Sequence, residues 1–223
     1  MGAVREIGMN TFVDAFRFIG DNPHLLLVKT GEHLELSGAA LGIALLLALP
    51  AGLWLGHLHR GLFLAASISN VGRALPSLVL IAFGITVFGI GFWNNTVALV
   101  VLAIPPILTN AYFAVDAVDA DVVDAARGMG MTELQVLLRV ELPLALPLLF
   151  AGIRIAAIFV IATATIAAIA GGGGLGAIIV NRASYGDAGV VAASLCVSAL
   201  AFLAALILSF VRKAASPRPT PVP

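Results

Sequence analysis

The stretch "DAARGMGMTELQVLLRVELPLALPLLFAG", residues 124–152, decides how this chain is read. Its first half carries Asp124, Arg127, Glu133, Arg139 and Glu141, yet it sits between two long apolar runs. A charged, glycine-hinged segment inside so oily a chain reads as a handle that another protein grips while the rest of the chain moves. The acids of "VDAVDADVVDAAR" suit a helix N-terminus, where the backbone dipole favours negative charge. Gly128 and Gly130 supply a C-cap or sharp turn that ends this helix. Thr132 then caps a second helix while Gln135 closes a capping box. Leu134, Leu137 and Leu138, spaced three and four apart, give that helix one apolar face. Pro143 stops or redirects the chain before the next apolar run. A short helix–turn–helix of this kind suits a groove on a partner. An amphipathic loop lying on the membrane is the plain alternative.

Outward from this segment, the chain is too apolar to be water-soluble. Of 223 residues, 61% are hydrophobic and 11% charged, and the mean hydropathy is +1.08. So few charges cannot cover a soluble domain of this length. The expected fold is all-α and polytopic in a membrane. A spanning helix needs about 20 apolar residues, and five runs qualify: 36–56, 61–92, 95–115, 144–170 and 188–211. The second run contains Arg73 and Pro76, so a broken or re-entrant element there would raise the number to six. Arg60, Arg127, Arg139, Arg212, Lys213 and Arg218 fall on one side, against Arg182 on the other. Arg5, Arg17 and Lys29 weaken that bias, which still favours an outer N-terminus and a cytoplasmic C-terminus. Trp93 and Trp54 fit aromatic belts at the outer and inner interfaces. Residues 1–33 read as an extracytoplasmic or interfacial segment without a cleavable signal, and residues 212–223 as a disordered cytoplasmic tail rich in proline.

Several function classes recede. Zero net charge speaks against nucleic-acid binding. Cys196 has no partner for an internal disulfide. No G-x-x-x-x-G-K-[ST] motif occurs, so no nucleotide cofactor is expected on this chain. "GGGGLG", residues 171–176, lacks the lysine of such a motif and reads as a flexible turn. The twelve acids fall outside the five runs, which argues against an ion-coupled secondary carrier. Among His24, His33, His57 and His59, none is expected to pair with a carboxylate inside a span, and no metal site is expected.

The 124–143 segment resembles the "EAA" loop of the permeases of bacterial ABC importers. That signature reads Glu-Ala-Ala, three residues, Gly, nine residues, Ile-x-Leu-Pro. Here it stands as Asp124, Ala125, Ala126, then Gly130, then Val140, Leu142 and Pro143, with Asp for Glu and Val for Ile. "NVGRALPSLVLIAFG", "VELPLALPLLFAGIRIA", "TATIAAIAGGGGLG" and "LLLVKTGEHLELS" are similar to the glycine betaine, carnitine and choline branch, also called the osmoprotectant branch. The resemblance implies a type I importer fold, with residues 34–211 as the permease domain and 116–143 as its cytoplasmic coupling loop. It implies an ATPase-coupling site of Asp124, Ala125, Ala126, Arg127, Gly128, Gly130, Met131, Thr132, Val140, Leu142 and Pro143. It further implies ATP and Mg used by two copies of a partner ATPase, a second permease, an extracytoplasmic solute-binding protein, and residence in a bacterial or archaeal cytoplasmic (inner) membrane. The solute would be a compatible one. A different small solute, such as an amino acid, is the alternative, and a carrier or channel a more distant one.

For the translocation path the candidates are polar residues within spans: Arg73, Pro76, Ser77, Asn110, Thr163 and Thr165. A membrane-embedded arginine is costly and must face protein or water, and a proline kink frees backbone groups that need partners. Interhelical bonding is the plainer role for Asn110, Thr163 and Thr165; for Arg73 the plain alternatives are bonding to carbonyls freed near Pro76 or a span boundary that falls elsewhere. Trp54, Trp93, Tyr112 and Tyr185 are dispersed, so no aromatic cage for a quaternary ammonium is expected.

Overall fold

The computed structural model describes residues 2–59 and 61–215, without the side chains of residues 2–9 and of Arg73. The expectations placed on Arg60, on the Arg73 side chain, on Arg218 and on residues 216–223 lie outside the described residues. Within them the chain is helical and contains no strand: α1 (Gly2–Asp21), α2 (Pro23–His57), α3 (Leu62–Ala74), α4 (Ser77–Phe88), α5 (Phe92–Asp116), α6 (Ala120–Gly128), α7 (Glu133–Val136), α8 (Leu142–Ala164), α9 (Gly176–Val180) and α10 (Arg182–Ala215). A π-helical turn, Leu137–Glu141, joins α7 to α8, and a 3₁₀ turn, Ile166–Ala170, follows α8.

Four helices are long and apolar enough to cross a membrane: Pro23–His57, Phe92–Asp116, Glu133–Ala164 and Arg182–Ala215. Counting α3 with α4 as one broken span makes five. The break falls where a proline dictates it. Leu75 precedes Pro76 and is extended, at φ −75° and ψ 117°, because the pyrrolidine ring disfavours the helical region for the residue before it. The spans overrun their apolar runs. α2 begins at Pro23, where a missing N–H costs nothing, and runs unbroken through position 33, where the surface segment was expected to end. Glu32, Glu35, Asp116, Glu133, Glu141 and Asp187 therefore lie in helices that qualify as spans, contrary to the expectation that acids avoid them. Length explains this: 35 residues rise about 52 Å, well beyond a hydrocarbon core of about 30 Å, so the ends have room for charge.

Two compact units are distinguishable. The first comprises residues 1–41, 76–100 and 158–203, the second residues 42–75, 101–157 and 204–223. In the first, Ile81 of α4, Ala98 of α5 and Ala170 of the 3₁₀ turn form a buried cluster with Leu80, Ile85 and Ile166. The Gly171–Gly176 loop of this unit is tied down rather than loose. Gly171, Gly173 and Gly174 take positive φ, the Gly174 N–H donates to Glu32 Oε2 at 2.7 Å, and Lys29 holds the same carboxylate at 2.9 Å. Buried His33 shares a hydrogen bond with the Ile161 carbonyl at 2.9 Å.

In the second unit, Ala111, Ala114 and Val115 of α5 are buried with Leu137, Ala145 and Leu149, and Leu49, Leu53 and Leu142 pack on them. Lipid is as apolar as leucine, so close backbone approach rather than oil avoidance drives helix pairing in a membrane. α2 is built for such approach. In this unit Ala44, Ala48, Gly52 and Gly56 recur every fourth residue and all are buried, at a spacing that Leu36 and Ala40 of the first unit share. A Cβ added at Gly56 would lie 2.6 Å from the Tyr112 carbonyl oxygen, and one at Gly52 2.6 Å from that of Leu108. α5 carries Pro105 and Pro106 in its interior. The carbonyls of these two prolines accept bonds from Thr109 and Asn110 one turn on. Many large apolar side chains face outward, Phe63, Leu46 and Phe210 among them. In water such a surface would mark a docking or aggregation site; in a bilayer it is the lipid face.

Candidate functional site: the 116–143 segment

The segment is built by three local devices. Asp119 caps α6 by accepting the Asp121 N–H at 2.9 Å. At the other end Gly130 stands at φ +83°, a conformation glycine adopts without Cβ strain. There the Met131 N–H reaches the Ala126 carbonyl and the Gly130 N–H that of Arg127, at 3.3 and 2.9 Å. This is the Schellman pairing that closes a helix, with Met131 packing back onto the α6 side. The expected capping box is present: the Thr132 N–H donates to Gln135 Oε1 at 2.9 Å, and the Gln135 N–H to Thr132 Oγ1 at 3.4 Å.

Two expectations change. Pro143 neither stops nor redirects the chain; it sits in the first turn of α8. A proline ring would normally strike the carbonyl four residues back. The π turn widens the helix just there, and the Leu142 N–H bonds the Leu137 carbonyl, five residues back. The leucine face is also split. Leu137 is buried in the unit core, while Leu134 and Leu138 are exposed. Val136, not a leucine, is the fully buried member of α7, packed with Val123 and Ala126.

The signature residues thus divide by direction. Ala126, Met131, Val140 and Leu142 face inward and hold the two short helices together. Asp124, Ala125, Gly128 and Thr132 are exposed, alongside Met129 at 73% exposure, Leu134 at 57% and Leu138 at 50%. Three large apolar side chains, on the turn, on α7 and on the π turn, are thus left exposed. Met129 and this split of the leucines were not read from the sequence; the +83° glycine beside Met129 was the available signal. Arg127 ties α6 to α7, donating to Glu133 at 3.1 and 3.2 Å and to Asp124 at 3.5 Å. The Glu133 carboxylate holds the guanidinium above its ordinary pKa.

The histidines overturn another expectation. His57, buried at the end of α2, has Nδ1 2.6 Å from Glu141 Oε2 and Nε2 3.1 Å from Glu133 Oε2. His59 pairs with Asp116 at 3.0 Å. A histidine and a carboxylate 84 positions apart meet because α2 ends beside the π turn.

Residues 44–220 match the family described as "Binding-protein-dependent transport system inner membrane component". The chain belongs to this family. "Glycine betaine/carnitine/choline transport system permease protein OpuCB" of Bacillus subtilis is 34% identical over 202 residues, covering 90% of this chain and 93% of that protein. "Carnitine transport permease protein OpuCB" of Listeria monocytogenes is 38% identical over 164 residues, covering 74% and 75%. An inward-facing structure of the MetNI methionine ABC transporter superposes with a TM-score of 0.76 at 24% identity, covering 88% of this chain and 99% of that one. The all-α, type I importer fold is therefore that of this chain, a multi-pass membrane component of an ABC importer.

The path candidates are less gathered. Pro76, Ser77, Thr163 and Thr165 belong to the first unit, and Asn110 to the second with the backbone of Arg73. Asn110 donates to the Pro106 carbonyl at 2.7 Å and Thr165 to that of Ala162 at 2.7 Å, each within its own helical stretch. Asn110 also lies against Gly152. Tyr112 neighbours Phe113 and Tyr185 neighbours Phe18, while Trp54 stands by His57 and Trp93 by Phe92.

Proposed function

We propose that this chain is the translocating permease of an ATP-driven importer for a compatible solute of the glycine betaine, carnitine or choline class. The solute class rests on the names of the two OpuCB relatives, transport permeases for glycine betaine, carnitine and choline and for carnitine. The ATP would be bound and hydrolysed with Mg on two copies of a partner ATPase. A second permease, identical or similar, completes the path, and an extracytoplasmic binding protein delivers the solute. The N-terminus lies outside and the C-terminus in the cytoplasm, so that residues 116–143 face the ATPase.

One observation carries the coupling role. Met129, Leu134 and Leu138 project outward from a segment whose own folding is complete, with cap, Schellman turn and capping box all satisfied. Exposed apolar side chains of this kind are free to enter a groove on the ATPase. ATP-driven closure of the ATPase dimer draws the two docked segments together and rocks the spans. Arg73, Pro76, Ser77, Asn110, Thr163 and Thr165 are proposed to line or shape the path. The Arg73 charge would disfavour small cations there, and Arg73→Ala should alter transport or leak without weakening docking.

The deciding test is gentle purification of the tagged chain from its native membranes, with mass spectrometry of what accompanies it. A P-loop ATPase recovered with the wild type, and lost when Ala125, Ala126 and Gly130 are replaced together, supports the docking role. Recovery of the chain alone, in detergents where such assemblies survive, overturns it; uptake by the isolated chain in liposomes would then identify a carrier or channel.

A further inference from the structure

The geometry points to a proton-holding clamp, formed by His57, Glu141 and Glu133, that fixes the coupling segment to the end of α2. The inference rests on the coupling reading above and adds a condition to it: the fastening depends on pH.

The argument is one of donors and acceptors. Both ring nitrogens of His57 face carboxylate oxygens, at 2.6 Å for Glu141 and 3.1 Å for Glu133. An ionised carboxylate only accepts hydrogen bonds, and a neutral imidazole has one N–H to give. The two contacts can be made together only if the trio holds one further proton, on the ring or on one of the carboxyls. Burial makes that proton matter. The His57 side chain is 1% exposed and that of Glu141 0%, and Glu141 Oε1 has no hydrogen-bond partner. A buried carboxylate with one oxygen unsatisfied is costly unless a positive or hydrogen-donating group faces it.

Among the described residues, the following groups surround the ring. From its own helix Trp54 stands 5.8 Å away, ring to ring. From α7 comes Glu133, which Arg127 of α6 holds on its far side, and from the π turn comes Glu141. Two residues along the chain, His59 is paired with Asp116 of α5, to which Tyr112 also donates. Arg127 competes with the ring for Glu133 alone. Loss of the clamp's proton therefore forces His57 to release one carboxylate, and either release detaches part of the 133–141 stretch from α2. The sign follows: the fastening is complete at low pH and is lost as pH rises.

Glutamine separates this from a merely structural role. In Glu141→Gln the amide N–H can donate to Nδ1 while the ring donates from Nε2 to Glu133, so both contacts persist with a neutral ring and no further proton. The experiment measures amide hydrogen exchange across residues 133–141 of the chain in lipid nanodiscs, corrected for intrinsic rates, from about pH 5 to pH 9. Expected in the wild type is a loss of protection of about tenfold as pH rises, the worth of one charge-assisted hydrogen bond. Glu141→Gln should be flat over the same range. Should that variant fail to fold, Glu133→Gln makes the same change on an exposed side chain and should be flat too. A flat wild type, or glutamine variants that track the wild type, overturns the clamp. Purification with the ATPase is scored separately, so failure of the docking reading is seen as a missing partner and leaves the exchange result decisive.

Discussion

The four-residue ladder on α2 makes a sharp prediction about a single methyl group. Gly42, Gly52 and Gly56 lie in the same helix, so Gly→Ala at each adds the same atoms and the same helix propensity, up to about 1 kcal/mol in favour of the helix. Their surroundings differ. A Cβ at Gly42 meets nothing within 4 Å. One at Gly56 would lie 2.6 Å from the Tyr112 carbonyl oxygen and 3.0 Å from Val115 Cβ, whereas ordinary contact begins at 3.4 Å. The obstructing oxygen belongs to the backbone of α5, so no side-chain rotation relieves it; the helices must part by roughly 0.8 Å. Overpacking of this kind costs about 1–3 kcal/mol, and the parted helices also lose dispersion contacts along their seam. Gly42→Ala should therefore match or slightly exceed the wild type, and Gly56→Ala should fall about 1–3 kcal/mol below Gly42→Ala. Denaturant unfolding in mixed micelles, followed by far-UV circular dichroism, measures the difference. Coincident midpoints for the two variants would refute the close α2–α5 seam.

Replacing Gly130 with valine forces a β-branched residue to φ +83°, a genuine outlier; about 1–3 kcal/mol of local strain should abolish ATP-coupled uptake while membrane insertion, judged by protease protection, is unchanged. Thr132→Ala removes the cap of α7 and should cost about 1 kcal/mol, seen as faster amide exchange at Gln135 and Val136. Leu134→Asp together with Leu138→Asp alters only exposed side chains; helix content and the unfolding midpoint should hold while co-purification with the ATPase is lost. Glu32→Ala frees the Gly174 amide, whose single carboxylate partner is 2.7 Å away, and its exchange should accelerate by tenfold or more, consistent with one lost charge-assisted bond.

What could be read in advance was local. The capping box needed only Thr132 and Gln135, the turn only Gly130, and the break in the second apolar run only Pro76, because each device acts over a few residues. The ladder from Leu36 to Gly56 was also there to be read at a spacing of four. It goes unnoticed because small residues within an apolar run leave overall hydropathy nearly unchanged. Helix ends were misplaced because apolar runs report the lipid-facing length, whereas α2 continues past it to Pro23. The π turn escaped because Pro143 normally argues for a helix end, and nothing nearby announces the widened turn that accommodates it. The contacts of His57 with Glu141 and of Glu32 with Gly174 join residues 84 and 142 positions apart. Such meetings are set by how helices pack, and no local spacing encodes them.

The join between α7 and α8 has a mechanical consequence. With the π turn in place the helix continues from Glu133 into α8, so within the second unit residues 133–157 make one continuous helical stretch, about 37 Å long. Tipping this stretch about its Glu133 end, by ten degrees or so, would sweep position 157 through roughly 6 Å of arc. Pro147, inside α8, is where part of such a stroke can be taken up as a bend before it reaches the far end.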